Sequence, residues 1–140
     1  MKTVKSLVDE AMAVVTTHSV QQALVLHARD DVQFVDVRDV RELEHEGVIP
    51  GAVHAPRGML EFWVDPQSPY HKPVFAQADK QYVLFCAAGW RSALATQSLL
   101  AMGMEGVAHI EGGFAAWKLA GGPVAEKPGK RAVESTTKAK

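Results

Sequence analysis

The residue of this chain best suited to nucleophilic chemistry is Cys86, its single cysteine. It follows the apolar run Tyr82-Val83-Leu84-Phe85 and opens the segment Cys86-Ala87-Ala88-Gly89-Trp90-Arg91-Ser92, after which a helix-like stretch begins. A strand ending at a cysteine, a short loop of small residues and a following helix direct backbone N–H groups and the positive helix end toward the sulfur. That arrangement favours an anion at its centre and makes the thiolate available as a nucleophile. Gly89 relieves backbone crowding in the loop, Arg91 adds a full positive charge, and Ser92 is placed to cap the helix. The bland alternative is a small buried hydrophobe at a strand end, the commoner fate of a lone cysteine; the three neighbours together favour the reactive reading.

Other chemistries find little support. His18, His27, His45, His54, His71 and His109 are scattered with no metal-ligand spacing, so no metal site is expected. There is neither a Gly-x-Gly-x-x-Gly turn nor a Walker-type loop, so no nucleotide cradle is visible and no cofactor is expected. A cysteine-protease dyad would need a histidine aimed at Cys86, which the anion-binding loop does not itself require.

Cys86 needs a frame to hold it. Val32 to Val37 and Gln81 to Phe85 are β-branched and aromatic runs of the kind that form strands buried on both faces. Short strands at Ala52 to Ala55 and Val107 to Ile110, an extended piece near Val15 to His18, and helices at Arg41 to Glu46 and Ser92 to Met102 complete an alternating pattern. That pattern predicts an α/β domain, a parallel sheet with helices on both faces. Ser19 is the expected N-cap of a helix from Val20 to about Ala28, and Gly47 and Gly103 stand where helices should end. Leu7, Val8, Ala11, Met12 and Val15 recur at helical spacing, giving an amphipathic N-terminal helix whose expected role is packing. The division is therefore 1–14 N-terminal helix, 15–123 main domain, and 124–140 a disordered tail without apolar periodicity.

In such sheets ligands bind beyond the carboxyl ends of the strands. Asp36-Val37-Arg38 ends one strand and Cys86 to Arg91 follows another. A buried carboxylate must be compensated, so Asp36 is expected to accept loop hydrogen bonds or pair with an arginine; Arg38 could equally pair with Glu42 at helical spacing. Both are taken as supporting residues. Phe62, Trp63 and Tyr70, in the proline-punctuated stretch between Pro56 and Pro73, are assigned to core packing.

Composition narrows the partners. The 140 residues carry a net charge of −1, which argues against a dedicated binder of nucleic acid or anionic membranes. No apolar run approaches the roughly 20 residues of a membrane span. One cysteine cannot close an intramolecular disulfide, and Asp9 and Glu10 interrupt the N-terminal apolar stretch before it could serve as a signal-peptide core, so a cytoplasmic location is expected.

With these residues in place, the chain resembles a single-domain rhodanese, the thiosulfate:cyanide sulfurtransferase family. Val35-Asp36-Val37-Arg38, Glu42 and Ile49-Pro50-Gly51-Ala52-Val53 are similar to its first signature; Cys86 to Ser92 resembles its active-site loop; Glu111-Gly112-Gly113-Phe114-Ala115-Ala116-Trp117 resembles its closing signature. The resemblance implies a doubly wound three-layer α/β/α domain with a central parallel sheet of about five strands. It also implies a reaction in which Cys86 takes the outer sulfur of a donor such as thiosulfate, becomes a persulfide and passes the sulfur to cyanide or a thiol, a protein thiol included. The amides of Ala87, Ala88, Gly89, Trp90, Arg91 and Ser92 would form the anion cradle, and Arg91 would bind the donor's sulfonate. Family members active on thiosulfate often carry a cation early in the loop, where this chain has Ala87 and Ala88, so thiosulfate is expected to be a poor donor. Val48 replaces the histidine usual before Ile-Pro-Gly-Ala. Trp90 either walls the pocket or packs on the sheet, with packing preferred. Rival functions are a cysteine-dependent phosphatase or arsenate reductase, whose loops need one more residue than the four between Cys86 and Arg91, and a non-catalytic binding module, which often lacks the cysteine.

Overall fold

The computed structural model describes residues 1–128. Helix α1 spans Val4–Met12 and is capped by Thr3, whose side chain accepts from the Ser6 amide. Strand β1 (Thr16–His18) leads to Ser19, which forms a capping box with Gln22 and starts α2 (Val20–His27). Strand β2 (Val32–Asp36) is followed by Asp39, capping α3 (Val40–Glu46) with Glu42 completing a second capping box. Gly47, at φ 93°, ends that helix as expected. Then come β3 (Val53–His54), α4 (Leu60–Val64), β4 (Gln81–Phe85), α5 (Trp90–Ala101), β5 (Val107–Ile110) and α6 (Gly113–Leu119).

All five strands are parallel, in the order β1-β5-β4-β2-β3. The chain runs outward from β2 to β3, then returns to the other side of β2 and continues outward through β4 and β5. The direction therefore reverses between β2 and β4, the switch point where a crevice opens beyond the strand ends. Asp36 and Phe85 are register partners there, and the Val37 amide donates to the Phe85 carbonyl at 3.0 Å.

Alternation along the strands divides the core. Val35, Tyr82, Leu84 and Cys86 face one side with Leu60, Ala95 and Leu99 of α4 and α5. Phe34, Val83, Phe85 and Ile110 face the other with Ala23, Phe114 and Trp117 of α2 and α6. The three-layer α/β/α architecture is thus present, and α1 adds to the α5 side through Val8, Ala11 and Ala93. No helix among the described residues is long and apolar enough to cross a membrane.

Several local expectations change. Ser92 does not cap α5: Gly89, at φ 111°, occupies the N-cap, and Ser92 lies inside the first turn. Phe62 and Tyr70 stay half exposed and meet each other edge to face instead of entering the core, while Trp63 packs against it from its margin. In the segment assigned to a tail, Ala125 pairs with Val48 through two backbone hydrogen bonds; residues 129–140 lie outside the described residues.

Gly113 is the tightest point between α6 and the loop after β4. Its φ is +59°, and a Cβ there would overlap the Cys86 carbonyl oxygen and stand 2.9 Å from the Ala87 carbonyl. Left-handed strain and overpacking add, so Gly113→Ala is expected to destabilise the fold by on the order of 3 kcal/mol. A urea midpoint equal to wild type would show that the close approach is not needed.

Candidate active site

Cys86 leaves β4 at the switch point with only 1% of its surface exposed. Its Sγ accepts hydrogen bonds from the amides of Gly89 at 3.1 Å and Ser92 at 3.3 Å, and lies 3.5 Å from Ser92 Oγ. Of the expected loop amides, these two reach the sulfur. They can, because the loop's carbonyls are drawn the other way: Phe114 N donates to the Cys86 carbonyl at 2.8 Å and Ala115 N to the Ala87 carbonyl at 3.1 Å. A sulfur enclosed by inward N–H groups at the start of a twelve-residue helix is suited to negative charge.

Asp36 and Arg38 form a buried ion pair behind the loop, with contacts of 2.8–3.2 Å between the guanidinium and both carboxylate oxygens. Arg38 Nη2 also donates to the Gly47 carbonyl at 2.8 Å, and its guanidinium carbon lies 4.1 Å from the Phe114 ring centroid. Compensation of Asp36 by an arginine is as expected, but the partner of Arg38 is Asp36 and not Glu42. Glu42 instead receives Arg91, with Nη1 to Oε1 at 2.7 Å and Nη2 to Oε2 at 2.9 Å. The Arg91 hydrogen bonds hold the Glu42 carboxyl down to about 2 and reinforce the charge on Arg91. Arg91 is thus committed to a carboxylate across the loop's mouth.

The loop lies between two recesses. A groove of about 540 Å³ borders Ala87 and is lined by Phe114, Leu119 and Lys118; a smaller one of about 210 Å³ borders Ala88, Gly89 and Trp90 and reaches Asp9 and Met12 of α1. Trp90 is half exposed, so it walls this recess and does not pack on the sheet.

His109 was missed as a site residue. It is 1% exposed on β5; its Nδ1 lies 3.0 Å from Ser92 Oγ and its Nε2 3.0 Å from Thr17 Oγ1 of β1. Metal-ligand spacing says nothing of it; the signal in the sequence is a histidine flanked by apolar residues in a buried strand, since a buried ring must find polar partners.

Burial, with a smaller contribution from His18, pulls His109 from 6.5 down to about 4. Between those values the unfolded chain binds the proton and the folded chain does not, so this stabilisation is complete above 6.5 and is lost on acidification. The full shift corresponds to up to about 3 kcal/mol. Glu42 adds a second loss lower down, as pH falls from 4.5 toward 2. The urea midpoint is expected to drop as pH falls from 6.5 to 4, and His109→Asn to flatten that drop; equal slopes in both proteins would remove His109 as its source.

Comparison with known proteins bears directly on this geometry. The family model described as Rhodanese-like domain matches residues 19–120, covering strands β2 to β5, the Cys86 loop and α6. The chain belongs to the rhodanese family. Among rhodanese relatives, "Putative sulfurtransferase YtwF" of Bacillus subtilis is 32% identical over 93 residues, covering 66% of this chain and 80% of that protein. The uncharacterized protein slr1261 of Synechocystis is 39% identical over 99 residues, which are 70% of this chain and 49% of that one, so the rhodanese domain here spans about half its length. Of solved structures, the Rhodopseudomonas palustris protein RPA3614, of unknown function and described as a "possible tyrosine phosphatase", superposes with a TM-score of 0.86 at 50% identity, covering 89% of this chain and 96% of the other. The polysulfide-sulfur transferase homodimer of Wolinella succinogenes gives a TM-score of 0.67 at 29% identity over 89% and 88% of the two chains. Rhodanese membership and relatives named as sulfurtransferases support a sulfurtransferase-like class for this chain.

Proposed function

We propose that the protein moves a sulfane sulfur through a persulfide on Cys86. The Cys86 thiolate attacks the outer sulfur of the donor; the donor's S–S bond breaks and its electron pair leaves with sulfite, a thiolate or a polysulfide one sulfur shorter. The acceptor, cyanide or a thiol, then attacks the outer sulfur of the persulfide, and the Cys86 thiolate is released. The observation that carries this reading is the sulfur held by the Gly89 and Ser92 amides at 3.1 and 3.3 Å, donors that serve the thiolate and the persulfide anion alike.

The surroundings bear on the donor. Arg91 is neutralised by Glu42, and Ala87 and Ala88 bring no charge, so a persulfide or polysulfide is favoured over thiosulfate as the physiological donor. The Wolinella neighbour's name agrees with that choice. A cytoplasmic setting, where low-molecular-weight and protein thiols can accept sulfur, fits the single free cysteine. Phosphate chemistry is disfavoured because only four residues separate Cys86 from Arg91 and the guanidinium is held by Glu42.

Intact-protein mass spectrometry after incubation with inorganic polysulfide, a glutathione persulfide or thiosulfate tests the reading. One added sulfur atom on Cys86, removed by cyanide or dithiothreitol, is the expected result. No adduct with any of the three donors, or hydrolysis of an aryl phosphate that disappears in Cys86→Ser, would overturn it.

Arg91 meets an anionic donor in competition with Glu42. Arg91→Ala is expected to lower kcat/KM for thiosulfate by about 10- to 100-fold, the worth of a hydrogen bond to a charged group. The ion pair is partly exposed, so at pH 7 its loss should cost folding no more than about 1 kcal/mol, read as a small fall in the urea midpoint. Unchanged kinetics would take Arg91 out of donor binding.

A further inference from the structure

Four polar side chains run in a row from the sulfur across the sheet to β1: Cys86, Ser92, His109 and Thr17, with successive contacts of 3.5, 3.0 and 3.0 Å. They come from the loop after β4, from α5, from β5 and from β1. Ser92, His109 and Cys86 are all at least 99% buried. We propose that His109 is a positioning residue whose Nδ1–H tautomer turns the Ser92 hydroxyl onto Cys86, giving the thiolate a third hydrogen-bond donor.

The argument is one of donor and acceptor counting. A thiolate can only accept, so the Ser92 hydroxyl assists it only by pointing its hydrogen at Sγ. Ser92 Oγ then presents lone pairs to His109 Nδ1, which must carry the hydrogen. His109 Nε2 is left as the acceptor, and the Thr17 hydroxyl donates to it. With the opposite tautomer Nδ1 would be a bare lone pair, drawing the Ser92 hydrogen to itself and away from the sulfur. With Nδ1 carrying a hydrogen, the Ser92 hydroxyl is left two acceptors, the Gly89 carbonyl 3.3 Å from its oxygen and Sγ at 3.5 Å, and the negative charge of the thiolate favours the sulfur. Burial keeps the imidazole neutral near pH 7, so the ring orients without taking a proton from the thiol.

The charged and titratable groups around the row are few. His18 of β1 acts on the ring, Asp9 of α1 and Glu111 share its recess, and Arg91 of α5 acts on Cys86, with Asp36 also acting on Arg91. Among these, His109 is the one in hydrogen-bond contact with Ser92.

The inference rests on the thiolate chemistry proposed for Cys86, but its test reads the thiolate itself and needs no sulfur transfer. The rate of Cys86 alkylation by iodoacetamide is followed against pH in the wild type, Ser92→Ala, His109→Leu, His109→Asn and the double variant Ser92→Ala/His109→Leu. His109→Leu and Ser92→Ala should each move the profile to higher pH by about 1 unit, the effect of losing one hydrogen bond to a charged group. The double variant should move it no further than Ser92→Ala alone, because both act through the same hydroxyl. Asparagine places an N–H close to the Nδ1 position, so His109→Asn should recover most of the wild-type profile. Should His109→Leu fail to fold, nitrogen-15 NMR of the wild-type ring, at a pH on the alkylation plateau, reads the tautomer directly. A hydrogen on Nδ1 is expected; a hydrogen on Nε2, or additive shifts in the double variant, would overturn the proposal. If the profiles behave as stated but no donor leaves sulfur on Cys86, the positioning role stands and the sulfurtransferase reading falls.

Discussion

Cys86→Ser should lose at least about three orders of magnitude in sulfur transfer, with no sulfur adduct by mass, while the fold persists. The substitution keeps a hydrogen-bonding atom near the Gly89 and Ser92 amides, so the cradle has something to close on. What disappears is the thiolate. A serine hydroxyl is almost wholly protonated at neutral pH, and its oxygen cannot hold a transferable sulfane sulfur. Stability should change by about 1 kcal/mol, the ordinary consequence of a small polar swap in a core. Circular dichroism and urea unfolding read the fold, and intact mass reads the sulfur. A Cys86→Ser protein that still transfers sulfur would move the chemistry elsewhere in the chain.

The second large effect concerns Asp36, which touches no substrate in the reading advanced here. Asp36→Asn keeps the shape of the side chain but removes the charge opposite Arg38, whose side chain is 1% exposed. A buried pair broken on one side leaves an uncompensated ion, and the expected loss is about 3–5 kcal/mol. The Gly47 carbonyl and the Phe114 ring soften this without matching a carboxylate. Against a total of about 5–15 kcal/mol for a typical domain, that is a large share, and the melting temperature should fall by roughly 10 °C or more. Replacing both residues in Asp36→Asn/Arg38→Met should recover much of the loss, since it removes the orphaned charge together with its partner. A single variant as stable as the wild type would mean that water reaches Arg38.

Much of the frame was legible because its signals are local. Ser19 announces α2, Gly47 ends α3, and the apolar runs at Val32 and Gln81 mark the two central strands. Asp36 needed a counter-charge wherever it was buried, and Arg38 lies two residues away. The remaining features depend on residues far apart in sequence. Arg91 finds Glu42 from 49 positions away, and His109 finds Ser92 from 17. Local spacing suggested Arg38 for Glu42, and the same spacing says nothing of what crosses the strand ends. Ser92 looked like a cap because serine before a helix usually is one, but Gly89 takes that place with a backbone angle open to glycine. Phe62 and Tyr70 were assigned to the core on hydrophobicity alone, and an aromatic pair on the surface satisfies that preference equally well.

The hydrogen bonds from Phe114 and Ala115 to the carbonyls of Cys86 and Ala87 tie the site's chemistry to the order in which the chain is made. In the folded protein α6 holds these two carbonyls while the Gly89 and Ser92 amides face the sulfur, and α6 lies some thirty residues after the cysteine in the chain. A chain halted before residue 113 is therefore expected to lack this support for the Cys86 loop. The thiol's reactivity then becomes a clock for completion: a thiol reagent applied in pulses during refolding should record the moment the last helix docks, with Cys86 as the single site it marks.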